Sequence, residues 1–517
     1  MKKYFYAIAV LSAAIPLFGK IEMPKVFSDN MVLQRNADAK IWGTSEPNAT
    51  VEVQFKGQKK SAKADGKGNW SLRLDKMPAD KTPNKMTVFE NGKADKTIEN
   101  ILVGEVWVLG GQSNMEWSLR ATTDAKAAIK RADSNKNIRY FKQDGQAYAR
   151  TPQKDSPEGS QWQCCSSKTA VGWSAVGYYF AEKVAEKLDV PVGLLYTALG
   201  ATQMIMWVEE SAVEKNPQMK AHWERFKKEL AAYDEAAYQK ELAKWNAEKA
   251  EYDKQNAILK KQGKPLKWFP WDRRRPPSRV SPKAAFFTPV FNYNAKVAPL
   301  RGYTVRGTLW YQGEGDAGSE SVEKFESQMK LVISEWRKYF DNPEMPFIMA
   351  QLSSFADKSN WAYAREAQLK TANDVPHVFT IPTLDRGMEK DIHPKDKTTV
   401  GVRMANMALS QVYGEKCVKP FAPQFKSVEY DGDTATVRIE TNGVPVSLKG
   451  EAKGFEVRSN GKWGEASATL GGCKLSVKSK DGSKIDGVRY LWESCPLDEI
   501  CIYNADGLPL FPFSNEK

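Results

Sequence analysis

Apolar and polar positions fall into three successive regimes along the chain. Over residues 20–100 short stretches alternate, as in KIWGTSEPNATVEVQFKGQ at residues 40–58, with turn residues between them. A period of two marks strands with one face buried, and several in succession predict an N-terminal β domain of sandwich type. Over residues 101–415 the pattern changes to continuous apolar runs, such as VWVL at 106–109. These runs alternate with segments apolar at helical spacing, GYYFAEKVAEKL at 177–188 and TTVGVRMANMALSQVY at 398–413. A strand apolar at every position is covered on both faces, so this region is an α/β unit, a parallel sheet with helices on both sides. From residue 416 to 517 the alternation returns, as in SVEYDGDTATVRIET, and predicts a second, C-terminal β domain.

Two segments interrupt the middle regime. Residues 212–263 are rich in Lys, Glu, Ala and Tyr with few Gly or Pro. They predict one or two long helices, a hairpin inserted over about 212–282 and laid on the α/β unit. The insertion ends in KKQGKPLKWFPWDRRRPPSR, dense in Arg and Trp. A length of 517 residues agrees with more than one domain, since single cores seldom exceed about 250–300 residues.

The apolar runs of the middle region end in polar, glycine-containing loops, the places where α/β sheets bind ligands. GGQSNMEW follows the run at 106–109 and puts Ser113 at a strand end. A nucleophilic serine needs a base, and histidine has the pKa nearest neutrality. Only three histidines are present. His222 sits in a charged helical stretch and His377 at a strand start, whereas His393 lies in the polar loop DRGMEKDIHPKDK, so His393 is the candidate base. WYQGEGDA offers Gln312 as an amide donor to an oxyanion. In the same loop Glu314 and Asp316 raise two rivals, a metal pair and a glycosidase pair. Both are weak, because no His or Cys accompanies them and residues two apart lie too close. LLYTALGATQ supplies Gly200, whose backbone N–H is unhindered.

GQSNM, GAT, WYQGEGD and DIHPKDK together resemble the blocks of the SGNH-hydrolase superfamily, specifically the sialate O-acetylesterase family, and FSDNMVLQRNADAKIWG and GVRYLWESCPLDEICIYNADGLPLFPF resemble its terminal regions. The resemblance covers most of the chain except roughly 212–282. It implies an SGNH-type, flavodoxin-like parallel sheet with helices on both faces. It further implies Ser113 as nucleophile, His393 as general base, and an oxyanion hole made by the Ser113 N–H, the Gly200 N–H and the Gln312 side chain. The chain departs from the superfamily at Lys390, where an Asp often stands three residues before the histidine. Asp391 is then the candidate to orient His393, with Asp385 as runner-up. Asp396 is placed to cap the following helix.

The amino end, MKKYFYAIAVLSAAIPLFGK, has the layout of a secretory signal peptide over residues 1–19, so the protein is expected to be exported, periplasmic or extracellular. No later apolar run reaches the ~20 residues of a membrane span. The six cysteines do not form a dense framework, and Cys495 with Cys501 is the bridge to expect. A net charge of +13 concentrates at the amino end and in the Arg/Trp segment. With no nucleic-acid module in the chain, Trp271, Arg273, Arg274 and Arg275 read instead as substrate-binding residues, rings for sugar faces and guanidinium groups for a sugar carboxylate. The expected function is an exported serine esterase removing O-acetyl groups from carbohydrates, sialic acids foremost, with neither metal nor organic cofactor. An acetylxylan or other polysaccharide esterase is the alternative, and a non-catalytic carbohydrate-binding protein the second.

Overall fold

The computed structural model describes residues 21–143, 148–267, 288–318, 322–359 and 361–516. The expected leader and Trp271, Arg273, Arg274 and Arg275 lie outside the described residues. In the N-terminal part, β1 (Val32–Gln34), β3 (Thr50–Phe55), β4 (Gln58–Lys63), β6 (Asp80–Glu90) and the first half of β7 (Lys93–Gly111) belong to one sheet. β2 (Ala39–Thr44) and β5 (Asn69–Leu74) pair separately. Alternation explains the arrangement: Val51, Val53, Phe55, Met86 and Val88 from the first group share a core with Ile41, Trp70, Leu72 and Leu74 from the second.

β7 does not stop with that sheet. Its second half continues as the centre of the α/β unit, with β8 (Ile138–Lys142), β9 (Gln161–Cys164), β10 (Val192–Tyr196), β11 (Gly307–Tyr311), β12 (Phe347–Ala350) and β13 (Val378–Ile381). Six strands run parallel in the order β13-β12-β11-β7-β10-β8, and β9 joins the β8 edge antiparallel. The expected flavodoxin-like order would set the first strand between the second and third. Here the first strand, β7, lies between β10 and β11, the third and fourth parallel strands.

Both faces are covered. α1 (Ser113–Glu116) and α2 (Ala125–Ala132) follow β7, and α3 (Ala175–Leu188) precedes β10. α4 (Glu210–Val213), α5 (Pro217–Ala231) and α6 (Glu235–Lys261) make up the described part of the helical insertion. α7 (Val322–Tyr339), α8 (Trp361–Asp374) and α9 (Lys397–Gln411) complete the set. Trp107 and Leu109 of β7 pack in the core that α3 and α9 share, while Val106 and Val108 lie in the core that includes α7 and α8. That is why the run is apolar at every position.

The C-terminal part is a seven-stranded antiparallel sheet whose edges approach each other, the Tyr430 hydroxyl on one edge strand donating to the Asn515 carbonyl of the other at 3.0 Å. The sheet is thereby barrel-like. Arg365 of α8, fully buried, ties it to the α/β unit by donating to the carbonyls of Glu493 and Ser494 at 2.7 and 2.6 Å. The Cys495–Cys501 bridge is not formed, and all six cysteines are free thiols. A 3-10 turn at Leu497–Glu499 intervenes, and Cys501 turns its thiol to the Tyr490 hydroxyl, 3.7 Å away. Among the described residues no helix is long and apolar enough to cross a membrane.

Candidate active site

Parallel strands end at one edge, so the loops after β7, β10, β11 and β13 all open there. β7 terminates in Gly110 and Gly111. Gly111 has φ 126°, and a Cβ on it would stand 2.2 Å from the Tyr311 carbonyl oxygen. A Cβ on Gly110 would stand 2.7 Å from the rings of Trp310 and Trp336. The glycine pair therefore makes room for β11 and α7, not for a substrate. Gln112 then donates its N–H to the Tyr311 carbonyl at 3.0 Å, and Ser113 opens the single turn α1.

His393 arrives from the loop after β13, and its Nε2 lies 2.8 Å from Ser113 Oγ. With the ring proton on Nδ1, Nε2 accepts the serine hydroxyl proton. Trp117 stacks on the ring, centroids 4.9 Å apart at 18°. Burial holds the imidazole below its usual pKa; Asp391 pulls it up and Lys397 pushes it down, and the net is a lowered value. A neutral imidazole at neutral pH, the form a base needs, follows.

The two candidate orienting carboxylates differ. Asp391 accepts the His393 backbone N–H at 2.9 Å and stands 3.7 Å from Nδ1, too long for a hydrogen bond and an ion pair only when the ring is protonated. Asp385 is committed to Arg403 through bonds of 2.7 and 2.8 Å, so the runner-up is a structural group. Asp396 caps α9, accepting the Thr399 N–H at 3.0 Å.

The expected oxyanion donors need correction. Gly200 does reach the site, since a Cβ on it would lie 3.4 Å from Ser113 Cβ. Its N–H, however, donates to Glu116 Oε2 at 2.6 Å. Gln312 is fully buried, and its Nε2 donates to the Thr202 carbonyl at 3.1 Å and to Asp316 at 2.5 Å. Both amide hydrogens are engaged there, so Gln312 braces one loop on the other instead of facing the serine.

Glu314 and Asp316 likewise turn to separate partners. Glu314 accepts from Asn114, and Asp316 accepts the Met204 N–H at 3.0 Å. Burial raises both carboxyls, that of Asp316 to about 7. Among the described residues no group of three or more His, Cys, Asp or Glu side chains could hold a metal.

Four residues to which the sequence reading gave no role stand at the site: Asn114, Glu116, Trp117 and Lys397. Their signal was positional, because three of them lie inside GGQSNMEW and the fourth inside DIHPKDK.

A serine held by a histidine where parallel strands end is the arrangement of an α/β ester hydrolase. A family model described as carbohydrate esterase, sialic acid-specific acetylesterase matches residues 103–265 and 285–410, more than half of the chain. A sialate O-acetylesterase of Rattus norvegicus is 24% identical over 94% of this chain and 93% of its own length, and one of Homo sapiens 23% over 94% and 91%. A crystal structure of a carbohydrate acetylesterase from Xanthomonas citri superposes with a TM-score of 0.77 at 27% identity, covering 96% of this chain and 100% of that one. The chain belongs to the carbohydrate esterase, sialic acid-specific acetylesterase family, and so is a carboxylic ester hydrolase acting in carbohydrate O-deacetylation.

Proposed function

We propose that the protein is an exported serine esterase that cleaves O-acetyl groups from carbohydrates, O-acetylated sialic acids foremost, through an acetyl-serine intermediate. The observation that carries the reading is the 2.8 Å approach of Ser113 Oγ to His393 Nε2 at the carboxyl edge of the sheet. His393 takes the hydroxyl proton as Ser113 attacks the acetyl carbonyl. The oxyanion is received by the Ser113 and Gly200 backbone N–H groups once the Glu116 carboxylate leaves Gly200. His393 then protonates the departing sugar oxygen, and water, activated by the same ring, hydrolyses the acetyl-serine. Asp391 steadies the imidazolium by charge at 3.7 Å. We read the α/β unit as an SGNH-type scaffold on the strength of its four strand-end blocks. Export rests on residues 1–19, and sugar recognition by Trp271 and Arg273, Arg274 and Arg275 on their chemistry.

A second reading is an acetylated polysaccharide such as xylan as substrate, which the likeness to the Xanthomonas citri protein, a carbohydrate acetylesterase, leaves open. One comparison tests both: acetate release from O-acetylated sialic acid and from acetylated xylan, by the wild type and by Ser113→Ala. Faster release from the sialic acid, lost in Ser113→Ala with the fold intact, is expected. Preference for xylan would transfer the assignment to the second reading, and full turnover by Ser113→Ala would remove the serine mechanism.

A further inference from the structure

Behind the Ser113–His393 pair lie two ionisable side chains joined by an amide; burial lowers the Lys397 ammonium to about 7 and raises the Glu314 carboxyl. Asn114 and Lys397 are buried, at 1% and 0% exposure. Asn114 Oδ1 accepts from Lys397 Nζ at 2.5 Å, and its Nδ2 donates to Glu314 Oε1 at 2.5 Å and to the Ile392 carbonyl at 3.0 Å. Each end of the amide dipole thus meets the sign of charge it prefers. The three partners come from different places: Lys397 begins α9, Glu314 belongs to the loop after β11, and Ile392 immediately precedes His393. Asn114 itself immediately follows Ser113. Lys397 Nζ also lies 5.4 Å from the centroid of the Tyr311 ring and 6.0 Å from that of Trp117, whose indole stacks on His393.

We infer that Asn114, Glu314 and Lys397 are positioning residues of the esterase: the amide, held between the two charges, clamps the His393 loop to the Ser113 turn and fixes a cation behind the Trp117–His393 stack. This rests on the serine-esterase reading above. An Asp in the middle of the clamp would set a second carboxylate against Glu314, and a Leu would leave a buried ammonium and a buried carboxylate unpaired. Glu314 makes the buried cation tolerable, and the Ile392 bond converts the charge pair into a geometric constraint on the base. A displacement of about 1 Å at a reacting group can cost on the order of 100-fold in rate.

The clamp also acts on the titration of the base. The charged groups that bear on the ring are Asp391 on its own loop, which favours protonation, and Lys397 from α9, which opposes it. On the other two loops Glu314 faces Asn114, and Glu116 faces Gly200. Burial lowers Lys397 to about 7, while His393 is held below 6.5, so the ammonium is charged over the range where the ring titrates. Removing the Lys397 charge therefore raises the pH at which His393 loses its proton, and neutralising Asp391 lowers it.

The test is the pH profile of kcat and KM for acetate release from para-nitrophenyl acetate by full-length wild type, Ser113→Ala, Lys397→Met, Asp391→Asn and the double variant Glu314→Gln with Lys397→Met. Lys397→Met is expected to lower kcat by roughly 10- to 100-fold with KM little changed. Its acid limb should move to higher pH and that of Asp391→Asn to lower pH. The double variant, with neither charge left unpaired, should melt close to the wild type yet keep the raised limb, so it reports even if Lys397→Met alone fails to fold. Wild-type kcat with an unmoved limb in the double variant, or limbs moving the same way in Lys397→Met and Asp391→Asn, would overturn the inference. An inactive wild type, or an active Ser113→Ala, would instead remove the serine reading and this inference with it.

Discussion

A single carboxylate decides how ready the site is. Glu116 Oε2 lies 2.6 Å from the Gly200 N–H beside Ser113, a negative oxygen where the proposed mechanism needs one to develop on the substrate. The free enzyme therefore spends its donor on its own side chain. Glu116→Gln replaces a charged acceptor by a neutral one, a weakening of about 1 kcal/mol. The kcat/KM for para-nitrophenyl acetate should rise roughly fivefold, mostly through KM. A fall in kcat/KM with the fold intact would mean that the carboxylate serves the reaction. The pairing of Ser113 with His393 was legible in the sequence because strand-end position and the scarcity of histidine can be read without the fold. The orientation of Gln312 was not: whether an amide faces a cleft or a neighbouring loop depends on Thr202 and Asp316, and only the packed fold brings Thr202 beside it.

Among elements, β7 and its neighbours carry the site through backbone fit. Gly111 combines a φ of 126° with the 2.2 Å clash that a Cβ would make against Tyr311, whereas Gly57 has φ 78° and open space around it. Gly57→Ala should cost about 1–2 kcal/mol, the strain of the left-handed region alone. Gly111→Ala should cost more than about 3 kcal/mol and distort the Ser113 turn. Chemical denaturation of both variants measures the difference, and equal costs would show that β11 yields to the added methyl. α3 and α9 were readable from helical spacing, and the doubly buried β7 from its unbroken apolar run. Strand order was not readable, because it depends on which way each crossover turns and not on any local pattern. The same holds for the unmade Cys495–Cys501 bridge, where proximity in the chain says little about the direction of a thiol.

At the scale of the whole molecule, a buried ion cluster fastens the N-terminal strands to the α/β sheet. Glu105 of β7, with 0% exposure, receives Arg35 from beyond β1, Arg306 from just before β11 at 3.0 Å, and Gln34 at 3.0 Å. Burial pushes its carboxyl up, but the charges of Arg306 and Arg35 outweigh it, and the net pKa is lowered. Such a group stabilises the fold above its unfolded pKa and loses that contribution as pH falls through the folded value. Glu105→Gln leaves two guanidinium groups uncompensated and should cost about 3–5 kcal/mol at neutral pH. The gap to the wild type should narrow in acid, as followed by denaturant midpoints across pH. A gap that does not change with pH would assign the loss to packing.

The strand that carries Glu105 has a history as well as a place. Its first half is completed by β6, its immediate predecessor in the chain, through contacts of short sequence separation that form early. Its second half pairs with β10 and β11, which emerge much later. During synthesis, then, the N-terminal hairpins present a ready-made edge, held straight and in register, on which the parallel sheet can be laid strand by strand. Seen so, the N-terminal strands prime the assembly of the sheet. A chain shortened by those strands should fail in folding first, before any question of substrate arises.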